Sequence, residues 1–112
     1  MDTNEFFDLV RDHFGDKVLD EMVDTAARTY WGTLYESFRF TCGLDDQYGR
    51  FTGGIAAGGD EFFTTFFGQS LSQNDDRDSI LANLRLVDEW CRLRLPDKFL
   101  ARYEAALGLD TP

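Results

Sequence analysis

Residues 16–32 read DKVLDEMVDTAARTYWG, and the reading of this stretch decides the fold. Its apolar pairs, Val18/Leu19, Met22/Val23, Ala26/Ala27 and Tyr30/Trp31, recur every four residues, the spacing that lines one face of an α-helix. Asp16 stands where an N-cap would, and Gly32 where a helix would stop. The stretch therefore predicts a helix from Asp16 to Gly32. The same pairing continues through Leu34/Tyr35 to Phe38, so a helix running on to about Phe40 also fits, with Gly32 in its interior costing about 1 kcal/mol.

Upstream, Asp2 precedes Glu5 at the spacing of a capping box, and Phe6, Phe7, Val10 and Phe14 follow at helical intervals as far as Gly15. This predicts a first helix over Thr3–Phe14. Downstream, from Thr33 to Gln69, the composition shifts to Phe, Thr, Tyr and Gly, with breaks at Gly43-Leu44-Asp45-Asp46 and Gly58-Gly59-Asp60. Such breaks between aromatic and β-branched runs predict a three-stranded antiparallel meander over Leu34–Cys42, Tyr48–Ala57 and Glu61–Phe67. Residues 33–42 and 61–67 also fit helices, in which case the chain would be an all-α bundle. Asp76 can cap a further helix with Ile80, Leu81, Leu84, Val87 and Cys91 on its apolar face, and Pro96 can open a last one carrying Phe99, Leu100, Tyr103 and Leu107 up to Gly108. The expected fold is one compact α+β domain over residues 1–112: two N-terminal helices, a small three-stranded meander and two C-terminal helices.

Length and composition agree with a single core, since 112 residues that are 43% hydrophobic and include 11 Phe are too apolar for a disordered acidic tail. A net charge of −10 argues against direct binding to nucleic acid or to an anionic membrane surface, both of which reward Lys and Arg. The N-terminal residues are acidic, and no apolar run approaches the roughly 18 residues of a membrane span. A soluble cytoplasmic protein is the expectation. Cys42 and Cys91 lack Cys-x-x-Cys spacing, so reduced, buried thiols are expected rather than a redox or zinc site.

Catalytic readings fail on residue supply. His13 is the only histidine, which removes multi-histidine metal sites and leaves one base for any Ser or Cys nucleophile. The run Gly53–Gly59 lacks the Gly-Lys-Ser/Thr ending of a P-loop, and Asp60-Glu61 directly after it would repel phosphate. The acids around Asp45-Asp46 and Asp75-Asp76-Arg77-Asp78 miss the Gly and Glu positions of a calcium loop. No catalytic residue, metal site or cofactor is assigned, and the chain is expected not to be an enzyme.

The charge itself is patterned. Asp8, Asp12, Asp16, Asp20 and Asp24 recur every four residues, and residues 1–27 carry eight acids against Arg11 and Lys17. On a helical course bent at Gly15 these aspartates would form an acidic ridge with neighbours roughly 6 Å apart, at a repulsive cost of a few tenths of a kcal/mol per pair. Such a ridge suits a basic protein partner, with aromatic residues as anchors. The expected binding residues are Asp8, Asp12, Asp16, Asp20, Glu21, Asp24, Tyr30 and Trp31. In size, acidity and lack of catalytic residues the chain is similar to many small inhibitors. The leading expectation is a cytoplasmic inhibitor that occludes a basic target, either a nuclease toxin, as an immunity protein does, or a nucleic-acid-binding defence enzyme, as a phage anti-defence protein such as an anti-CRISPR does. Two other classes stay open: an accessory or homodimeric interaction module, and an enzyme using carboxylates and a metal.

Overall fold

The computed structural model describes residues 1–45, 47–56 and 65–108. Helix α1 spans Thr3–Phe14 and is capped by the Asp2 carboxylate, which accepts from the Glu5 amide at 2.8 Å. Gly15, at φ +56°, ends it, and a single 3-10 turn over Gly15–Lys17 leads into the sheet. Four strands follow, β1 (Val18–Asp24), β2 (Thr29–Leu34), β3 (Phe38–Asp45) and β4 (Arg50–Ala56), forming an antiparallel sheet in the order β1-β2-β3-β4. A short hairpin, β5 (Thr65–Phe66) and β6 (Gln69–Ser70), precedes α2 (Arg77–Arg94) and α3 (Asp97–Ala106).

This corrects the sequence reading in two places. Residues 16–32 are not a second helix but most of a β-hairpin, and the meander has four strands, not three. The segment 33–42 divides between the end of β2, a turn and β3, which also removes the all-α alternative. Residues 57–64, which hold part of the third expected strand and of the glycine-rich run, lie outside the described residues.

Hydrophobic burial explains why the hairpin wins. In β2, Tyr30, Gly32 and Leu34 are buried while Trp31 and Thr33 are not, the period of two that a sheet covered on one side requires. The pairs Tyr30↔Cys42, Gly32↔Phe40 and Leu34↔Phe38 carry that buried set across to β3, and Phe40↔Ile55 and Leu44↔Phe51 carry it to β4. Helices α1 and α2 cover this face. Phe14 meets Phe40 edge-on at 5.5 Å between ring centroids, Phe6 meets Phe51 at 6.3 Å, and Trp90 meets Phe38 at 5.4 Å. A helix over 16–32 would have left the inner faces of β3 and α1 without their Tyr30 and Leu34 partners. At roughly 1.5–3 kcal/mol for each large side chain fully buried, tertiary packing outweighs a four-residue periodicity.

The register of β1 on β2 contains a bulge. Leu19 pairs with Thr33 and Met22 with Trp31, so Asp20 and Glu21 both stand opposite Gly32. Asp20 takes the left-handed conformation at φ +54°, as the extra residue of some bulges does. Without that residue, Met22 would face the helices and Glu21 the solvent side. With it, Glu21 reaches α1 and Met22 joins Trp31 on the opposite face.

Gly32 is required here by space rather than by φ. A Cβ built on it would lie 2.7 Å from Val18 Cγ1, and a β-branched valine has little freedom to move aside. Gly32→Ala is expected to lower stability by about 1–3 kcal/mol in urea unfolding. In the double variant with Val18→Ala the loss should be smaller than the sum of the two single losses; strict additivity would contradict the contact.

Candidate functional site

Among the described residues, two hollows and one partly exposed ion network collect the side chains that carry chemistry. The first hollow, about 560 Å³, is polar and is lined by Asp12, His13, Phe14, Gly15, Asp16, Lys17, Arg92 and Glu104. It forms because α1 ends at Gly15 and turns, presenting Asp12 and His13 from the helix and Asp16 and Lys17 from the 3-10 turn to the facing ends of α2 and α3.

Most of the groups around this hollow are paired with one another across elements. Lys17 Nζ lies 3.7 Å from Asp88 Oδ1 and 5.5 Å from the Tyr35 ring centroid. The Tyr35 hydroxyl donates to the same carboxylate oxygen at 2.5 Å. Arg92 Nη1 donates to Glu104 Oε1 at 2.5 Å, and the Tyr103 hydroxyl to the Lys17 carbonyl at 3.3 Å. Burial, reinforced by the hydrogen bond to Asp88, pushes the Tyr35 phenol above its ordinary value of 10, and burial pushes Tyr103 up to about 12. Neither phenol exchanges its proton near neutrality. Among the described residues the lining contains no serine, threonine or cysteine, and Cys42 and Cys91 are buried free thiols whose pKa values burial raises. The arrangement clamps the 3-10 turn, the β2–β3 turn, α2 and α3 together.

The ion network joins α1 to the hairpin. Arg11 Nη2 lies 2.6 Å from Glu21 Oε1, and the Tyr30 hydroxyl donates to Glu21 Oε2 at 2.8 Å. The Arg11 guanidinium holds the Glu21 carboxyl below its ordinary value of 4.5. Arg11 also lies 3.7 Å from Asp8.

The second hollow, about 400 Å³, opens on the face of the sheet away from the helices. Asp20, Met22, Trp31, Thr33 and Arg39 line it, together with Gly32 and Phe40. Met22 is 66% exposed and Trp31, its cross-strand partner, 38%; Leu19 is exposed on the same face, and Val23, opposite Tyr30, is exposed on the other. Half of the large exposed apolar side chains among the described residues therefore sit on one hairpin.

The expected binding residues thus occupy different places. The helical acidic ridge does not exist, because the helical course ends at Gly15 and Val18 begins a strand. Asp8 lies beside Arg11, Asp12 and Asp16 line the polar hollow, and Asp20 lines the outer-face hollow. Glu21 is held by Arg11 and Tyr30, and Asp24 caps the hairpin turn by accepting from the Ala27 amide at 3.0 Å. Tyr30 is fully buried and unavailable as an anchor, whereas Trp31 is exposed. Leu19 and Met22 were not singled out from the sequence. A period of two through Thr29, Trp31 and Thr33 was the signal that could have found their face.

Among the described residues no three His, Cys, Asp or Glu side chains gather as a metal ion would need, and no helix is long and apolar enough to cross a membrane. Comparison with protein-family models, with curated proteins and with solved structures returned no match.

The polar hollow makes the fold sensitive to acid. Burial lowers the His13 pKa below its ordinary value of 6.5; Asp88 opposes this, and Lys17 and Arg85 add to it. The unfolded chain therefore takes up the proton first, so stability falls as the pH drops below 6.5 and levels off beneath the folded-state pKa. Histidine NMR should show a titration midpoint below 6.5, and His13→Gln should flatten the stability profile in that window. A midpoint above 6.5 would contradict the burial.

Proposed function

We propose that this chain is a small cytoplasmic protein without catalysis of its own, which binds and occludes a basic protein such as a nuclease toxin or a nucleic-acid-binding defence enzyme. The observation that carries the reading is the β1–β2 hairpin. Leu19, Met22 and Trp31 are exposed on its open face, and β1 adds Asp20 and Asp24 without a single cation within the strand. An apolar centre with a charged rim is the anatomy of a protein interface, and a rim of one sign accelerates encounter with a partner of the other.

The placement of charge supports the same reading. Residues 1–27 carry eight of the acids against Arg11 and Lys17, and Arg11 is already committed to Glu21 and Asp8. Asp12, Asp16 and Asp20 make no ion pair among the described residues. Buried free thiols at Cys42 and Cys91 suit a reducing compartment, and the pairing of Lys17, Asp88, Arg92 and Glu104 accounts for the polar hollow as a structural junction.

The test uses the folded protein as bait, followed by binding measurements on the purified captured partner. The reading expects a basic partner whose affinity falls at least about tenfold between about 50 mM and 500 mM salt. Met22→Asp and Asp24→Lys, each checked for an unchanged thermal transition, should weaken it further. A neutral or acidic partner, salt-independent binding, or a concentration-independent dimer that shields Trp31 would contradict the reading.

A further inference from the structure

The second hollow has a polarity that the charge of the hairpin alone does not explain. Asp20 belongs to β1, Trp31 and Thr33 to β2, and Arg39 to β3. Asp20 and Arg39 therefore stand two strand spacings apart, roughly 10 Å, with the Trp31 indole and the Met22 thioether on the wall nearer Asp20. Arg39 is engaged in an interaction of its own. Asp20 is exposed, its carboxylate makes no hydrogen bond or ion pair among the described residues, and it lines the hollow together with Met22 and Trp31.

From this geometry we infer that the hollow is a receptor for one cationic side chain of the partner, an arginine above all. The inference rests on the proposed basic partner and specifies how that partner is engaged. An arginine combines an aliphatic stem with a planar cation. The stem suits the Met22 and Trp31 walls, the cation is attracted to an indole face, and the carboxylate of Asp20 accepts its N–H groups. Trp31 and Met22 thereby act together with Asp20, where neither an acid nor an apolar patch by itself would select a guanidinium. A volume of about 400 Å³ admits such a side chain without rearrangement of the sheet. Asp12 and Asp16 in the polar hollow lack this apolar wall and serve as an internal comparison.

The experiment is an NMR titration of the full chain with the blocked peptide acetyl-Gly-Arg-Gly-amide and, in parallel, its citrulline analogue, which keeps the shape and loses the charge. The inference expects saturable shifts of the Trp31 indole N–H and of the Asp20 and Met22 amides, with a Kd in the region of about 1 mM, and a citrulline response at least about fivefold weaker. Asp20→Asn should weaken binding by a similar factor; asparagine tolerates the left-handed backbone, so the bulge is kept. Equal response to both peptides, shifts confined to Asp12 and Asp16, or no saturation up to about 50 mM would overturn the inference. Because the titration contains no partner, its failure would leave the salt dependence of partner binding standing as a separate result. Salt-independent partner binding would likewise leave a positive titration intact.

Discussion

The bulge at Asp20–Glu21 is the constraint on which the arrangement of the molecule turns. One additional residue opposite Gly32 reverses the facing of everything after it in β1. Glu21 is brought to the side of α1, where Arg11 and Tyr30 satisfy both carboxylate oxygens. Met22 is brought to the open face beside Trp31. The contact that anchors α1 to the hairpin and the apolar patch on the far side of the sheet are consequences of the same inserted residue, so neither can be moved without the other.

The turns on either side of β2 depend on tertiary support. Arg28, Tyr35 and Glu36 adopt φ values between +51° and +56°, a conformation that costs a non-glycine residue roughly 1–2 kcal/mol. Tyr35 is fully buried, stacks obliquely on Tyr103 at 5.3 Å and donates to Asp88. Burial of a large aromatic ring, at roughly 1.5–3 kcal/mol, is enough to offset the strain at its own position. Arg28 is tied to the start of α1 through the Thr3 hydroxyl at 3.1 Å and the Met1 carbonyl at 2.5 Å. Both ends of β2 are thus held by helices, and the clamp around Lys17, Asp88, Arg92 and Glu104 belongs to this structural work.

These features also account for what could be read from the sequence. The bounds of α1 were legible because Asp2, Glu5 and Gly15 are local signals acting within one turn, and the capping role of Asp76 was legible for the same reason. The hairpin was not. Its turns contain no Gly or Asn at the left-handed positions, and the bulge breaks the alternation in β1. Aspartates spaced by four then imitated a helix, although each has a separate position in the structure. The excess of acid in the first 27 residues could be read directly. The burial of Tyr30 and the exposure of Met22 could not, because both depend on register.

The proposed function rests on this register, which puts Leu19, Met22 and Trp31 on the open face of the sheet and brings Asp20 to the same hollow as Trp31. The direct measurement is of backbone nuclear Overhauser contacts across the hairpin. Contacts between Met22 and Trp31 and between Leu19 and Thr33, with Asp20 and Glu21 both opposite Gly32, are the expected result. Pairing of Glu21 with Trp31, or an unbroken series of i to i+3 contacts from Asp16 to Trp31, would contradict it.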